Sequence, residues 1–136
     1  MMKNERKNLI AVYGTLRQGC GNFRYHLADA DFQGSFNSEP VYSMFNLGGF
    51  PGLKNNGNTS IFLEVYLVND EEAEHVDNLE GYEAGREPHF YDKQSIETPW
   101  GTAGIYIYVR DTTDRDLVES GDWVKRNERV VYDRMV

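Results

Sequence analysis

The chain has 136 residues, of which 40% are hydrophobic, and a formal net charge of −8. That length suits one domain with its own core; the acidic balance disfavours nucleic acid, because it repels a phosphate backbone. A single cysteine, Cys20, excludes an intrachain disulfide and fits the reducing cytoplasm. No apolar run approaches the roughly 18 residues of a membrane span or suits a secretory leader, and no zinc-ligand spacing or phosphate-binding P-loop is present.

In chain order, Leu9–Tyr13 is an apolar run that stops at Gly14, the pattern of a buried strand closing in a turn. Thr15–Gly21 reads as a loop, and Asn22 as the cap of a short helix over Phe23–Ala30. Phe32–Phe36 and Val41–Leu47 are expected strands. Gly48–Leu53, with three glycines and a proline, is expected to be a loop, and Asn55–Asn58 the turn of a hairpin leading into a strand over Ile61–Val68. Asn69–Leu79 predicts a helix capped by Asn69 or Asp70, with Ala73, Val76 and Leu79 facing inward and Gly81 ending it.

Phe90–Ile96 and Ala103–Val109 predict two more strands, joined through a turn at Pro99-Trp100-Gly101. The segment from Leu117 onward fits helix, strand or irregular chain equally. The whole reads as one α+β domain spanning residues 1–136, a mixed, barrel-like sheet with two short helices, and 1–8 and about 125–136 as loose tails.

Two places suggest chemistry. At Tyr13-Gly14-Thr15-Leu16 a strand ends on a glycine, and successive backbone N–H groups there can form a donor nest for a carboxylate or oxyanion. Taken alone, the segment suits an ordinary strand-to-loop turn just as well. Glu80 follows the acidic helix, where the helix's negative pole disfavours the charged carboxylate and suits proton exchange near neutral pH. Taken alone, a Glu in so acidic a chain is a solvated surface residue. Tyr82, Tyr91, Tyr106 and Tyr108 fit core or pocket wall, and His26, His75 and His89 have no ligand spacing.

Together the segments resemble a known family. Tyr13-Gly14-Thr15-Leu16-Arg17 with Gly19 and Asn22, Phe50-Pro51-Gly52-Leu53, Val76-Asp77-Asn78-Leu79-Glu80-Gly81-Tyr82, Phe90-Tyr91 and Gly121-Asp122-Trp123 are similar, in the same order, to the motifs of γ-glutamylcyclotransferase-like (AIG2-like) proteins. The resemblance implies a small barrel-like fold with a cavity at its mouth, and an enzyme, a transferase or lyase, that cyclises a γ-glutamyl group to 5-oxoproline and frees an amine. It implies substrate binding by Tyr13, Gly14, Thr15, Leu16 and Tyr91, acid/base catalysis by Glu80, and a loop-bracing Asn22. The partner implied is a small γ-glutamyl compound, with no cofactor and no metal, since the nucleophile belongs to the substrate. Two other classes fit the same sequence: a binding protein that sequesters a small anionic metabolite in that pocket, and an acidic protein-interaction or inhibitor module.

Overall fold

The computed structural model describes residues 5–14, 17, 27, 30–79 and 90–127. Among these residues eight strands run as β1 (Asn8–Val12), β2 (Asp31–Asn37), β3 (Tyr42–Asn46), β4 (Pro51–Thr59), β5 (Phe62–Val68), β6 (Tyr91–Thr98), β7 (Gly101–Tyr108) and β8 (Asp116–Leu117). Among the described residues, an α-helix, α1 (Asp70–Leu79), follows β5, and a 3-10 helix covers Trp123–Lys125. Five strands form a mixed sheet in the order β2-β5-β1-β7-β6, and β4-β3-β8 form a second sheet. β1 is antiparallel to β5 and parallel to β7, so the first strand of the chain lies at the centre of the larger sheet.

The apolar run Leu-Ile-Ala-Val explains that place: a central strand is covered on both faces. Ala11 packs with Leu63, Val65, Ile105, Met44 and Leu53 between the two sheets. Ile10 and Val12 face the other way, against Tyr66, Tyr106, Tyr108, Val76 and Leu27. The larger sheet also curls. Trp100, in the β6–β7 turn, packs on Phe36 of β2, which belongs to the opposite edge strand. A Cβ on Gly34 would lie 2.3 Å from that indole, so glycine is required there. This α+β architecture agrees with the expected barrel-like sheet.

α1 begins as its sequence predicts. Asn69 Oδ1 accepts the Glu72 N–H at 2.7 Å, while Glu72 Oε1 accepts the Asn69 N–H at 2.9 Å, a reciprocal cap that resolves the choice of capping residue. Val76 is fully buried and Ala73 packs beside it; the side chain of Leu79 lies outside the described residues. Of the expected helix over 23–30, only Leu27 and Ala30 are described, joined by an N–H···O bond of 3.0 Å.

Three expectations are corrected. Pro51–Leu53 is not loop but the start of β4: the proline takes the first strand position, where its missing N–H costs least, and Gly52 admits Leu47 and Tyr108 rather than making a turn. Asn55–Asn58 is not a hairpin turn. The register jumps from Ser43↔Lys54 to Tyr42↔Thr59, so these residues are a bulge within β4, and Gly57 lets its backbone close on Val41 and Tyr42. The N-terminal stretch is tethered from Arg6: Arg6 holds Glu72 through two bonds, Lys7 N–H reaches Val68, and Asn8 opens β1 and bonds Asp70. At the other end, Leu117 closes β8 and Lys125 lies in the 3-10 helix.

Candidate active site

Three of the segments singled out in the sequence meet at Pro51. A Cβ on Gly14 would lie 2.6 Å from Pro51 Cγ, so the turn after β1 rests directly on the proline ring. The Pro51 carbonyl accepts the Tyr91 hydroxyl at 2.8 Å. Tyr91 meets Tyr108 edge-on at 5.4 Å between centroids, and Tyr108 in turn borders Gly52. Gly14 is thus required by close approach to a neighbouring proline rather than by its own backbone angles. The loop before Pro51 is built as a tight turn: Asn46 Oδ1 accepts the N–H groups of Gly48 and Gly49, and Leu47 N–H bonds Phe50. That turn displays Phe50, about half exposed, beside the meeting point.

Tyr13 is buried and its hydroxyl donates to the Tyr106 carbonyl at 2.7 Å, which locks the end of β1 to β7. Its side chain therefore serves the loop's frame. Gly14 O accepts the Arg17 N–H at 3.0 Å and closes a four-residue turn. Thr15 and Leu16, between those ends, lie outside the described residues, as do Glu80, Tyr82 and Asn22. The described part of α1 stops one residue short of Glu80. Near that end Asp77 accepts both the Tyr106 hydroxyl and Lys93 Nζ, the latter at 3.1 Å, so the helix's last turns are bound to β7 and β6.

Sequence reasoning missed the ionic cluster behind the loop. Arg17 is buried, its Nε donates to Glu64 Oε2 at 3.3 Å, and one of its terminal nitrogens pairs with Asp122. The guanidinium also stacks 4.4 Å above Phe62, and Glu64 Oε1 accepts the Tyr66 hydroxyl at 2.9 Å. The signal was available: Glu64 is the one charged residue in the apolar run Ile61–Val68, and a buried carboxylate requires a partner. Lys54 Nζ lies 5.5 Å from the Tyr108 ring centroid, adding a cation beside this tyrosine group.

Burial alone would raise the Glu72 carboxyl, but the Arg6 guanidinium and the Asn69 N–H outweigh it and hold it below the usual range. Burial, helped by Glu39, pushes the Tyr42 hydroxyl up. Among the described residues no three His, Cys, Asp or Glu side chains are grouped to hold a metal ion. No described helix is long and apolar enough to cross a membrane.

The chain is similar to other proteins in sequence and in fold. A relative from Vibrio cholerae, named provisionally as a γ-glutamylcyclotransferase, is 41% identical over 88% of this chain and 98% of its own. The solution structure of the Escherichia coli protein YtfP superposes with a TM-score of 0.68 at 34% identity, covering 88% of this chain and 99% of that one. Protein PH0828 of Pyrococcus horikoshii superposes with a TM-score of 0.72 at 26% identity, covering 89% and 93%. Residues 10–125 match the family described as gamma-glutamyl cyclotransferase, AIG2-like. That span runs from the strand that delivers the Gly14 turn to the segment that supplies Asp122, and on it the chain belongs to the γ-glutamylcyclotransferase, AIG2-like family.

Proposed function

We propose that the chain, acting as one domain, cyclises the γ-glutamyl group of a small γ-glutamyl amine to 5-oxoproline. The observation that carries this reading is the meeting of Gly14, Pro51 and Tyr91, three residues from distant segments of the chain. The bonds of Asp77 give it further support, because they fix the helix that leads to Glu80.

In the proposed reaction the substrate's α-amino nitrogen attacks its own γ-carbonyl carbon. A C–N bond forms to close the five-membered lactam, and the C–N bond to the leaving amine breaks. The α-ammonium must lose two protons and the departing amine gains two. Glu80 carries one of them from nucleophile to leaving nitrogen, and the other exchanges with water. The backbone N–H groups of Gly14–Leu16 hold the glutamyl α-carboxylate or the developing oxyanion, with Tyr13 framing the turn and Tyr91 forming the wall. Most of the acceleration comes from holding a flexible glutamyl chain with nitrogen and carbonyl in contact.

A panel of γ-glutamyl amines, with 5-oxoproline read by mass spectrometry, tests the reading. Release of 5-oxoproline together with one equivalent of free amine is expected. Tight binding of the panel without product would assign the pocket to sequestration instead.

A further inference from the structure

We propose that Glu64 and Asp122 are positioning residues that act through Arg17 to set the backbone of the Gly14–Arg17 turn. The inference rests on the cyclotransferase reading for its consequence, though the clamp itself is read from the geometry. The turn has two ends. One leaves β1 at Val12, which lies directly opposite Glu64 across the β1–β5 ladder. The other is Arg17, whose Nε returns to that same Glu64 at 3.3 Å. The Arg17 side chain thus returns to the carboxylate that stands opposite the end of β1. Gly14 O and Arg17 N–H join the two ends at 3.0 Å.

Three further contacts fix the guanidinium. Asp122 pairs with its other side, Phe62 lies beneath its plane, and Tyr66 holds Glu64 from behind. Asp122 is itself fixed, because its Oδ1 also caps the 3-10 helix by accepting the Val124 N–H at 3.1 Å. Two carboxylates and one guanidinium are thereby withdrawn from water, an arrangement that favours a unique geometry more than it favours stability. A planar, forked cation is needed to meet two carboxylates at once and to stack on a ring; a lysine ammonium does neither well. Both described ends of the turn, Gly14 and Arg17, are thereby held by contacts that involve no substrate.

The test compares wild type with Arg17→Lys and Asp122→Asn, both chosen to keep the fold, and with Arg6→Gln, which breaks a different ion pair at the start of α1. Two readouts are taken: amide hydrogen exchange by NMR, and kcat and KM for a γ-glutamyl amine. In Arg17→Lys and Asp122→Asn, exchange at residue 17 should accelerate at least about tenfold while Val65 and Ile105 amides keep their wild-type protection. kcat/KM should fall by up to about 100-fold, as expected for a misplacement on the order of 1 Å. Arg6→Gln should lower Tm and leave both readouts unchanged. Wild-type exchange at residue 17 in the folded variants overturns the clamp, and so does a uniform loss of protection across the core, which would mark a purely structural role. Faster exchange at residue 17 with unchanged kcat/KM would overturn its link to turnover. If wild type yields no 5-oxoproline, the cyclotransferase reading falls, and exchange at residue 17 still decides whether the clamp exists.

Discussion

The two faces of the five-stranded sheet are built from the same strands and bury comparable side chains, yet they differ in chemistry. The face toward the smaller sheet carries Ala11, Leu63, Val65, Ile105 and Ile107. The face toward α1 carries Tyr66, Tyr91, Tyr106 and Tyr108, with Glu64 and Arg17 among the buried residues on that side. Apart from Tyr13 and Tyr42, the first face needs only shape and apolar area, which sequence alternation specifies well. The second holds hydroxyls and charges that each require a named partner, and those partners come from segments far apart in the chain. The Gly14–Pro51–Tyr91 meeting point adjoins the second face, and a change on either face should therefore read out differently.

The largest stability effect is expected on the apolar face. Leu63 is fully buried, and Leu63→Ala should cost about 2–5 kcal/mol in denaturant unfolding. Specific activity of the folded fraction should be unchanged; a loss of activity larger than the loss of folded protein would blur the distinction between the faces. Next comes Gly14→Ala. Its Cβ must displace Pro51, at a cost of about 1–3 kcal/mol by overpacking, and here activity should fall further than stability does. Normal turnover in this variant would remove the loop from the proposed mechanism.

The smallest effect belongs to the start of α1. Asn69→Ala should cost about 1 kcal/mol through loss of the cap. Glu72, held below the usual carboxylate range in the folded protein, contributes stability that is complete above its unfolded value and is lost as pH falls through the folded one. A pH titration of unfolding free energy should show that acid-side loss, and Glu72→Gln should flatten it. An unaltered pH profile in Glu72→Gln would show that the Arg6 and Asn69 bonds do not hold the carboxylate in solution.

Much of this was legible in the sequence where local chemistry decides. Asn69 and Glu72 stand three apart before an amphipathic stretch, and the reciprocal cap forms. Leu9–Tyr13 reads as a buried strand because its run is apolar throughout, and it lies at the centre of the sheet. The reading failed where glycine and asparagine serve tertiary contacts. Gly52 looks like a turn residue, but it is small because Leu47 and Tyr108 approach it. Asn55–Asn58 looks like a hairpin, yet the strand continues past a bulge that only its partner strand reveals. Of the site, the motif order brought Gly14, Pro51 and Tyr91 to notice, but their contact depends on the packing of β4 against the β1 turn. The Arg17–Glu64–Asp122 cluster required pairing residues from three distant segments, which spacing alone does not supply.

Whether Glu80 carries the proton in the proposed cyclisation is decided by one comparison. Wild type, Glu80→Gln and Glu74→Gln are assayed on the same γ-glutamyl amine for 5-oxoproline, with folding checked by circular dichroism. If Glu80 does, Glu80→Gln keeps its fold and loses about 10²–10⁴-fold in kcat, the usual contribution of a general acid/base, while Glu74→Gln, an exposed position on α1, matches wild type. Full activity in folded Glu80→Gln would contradict that role.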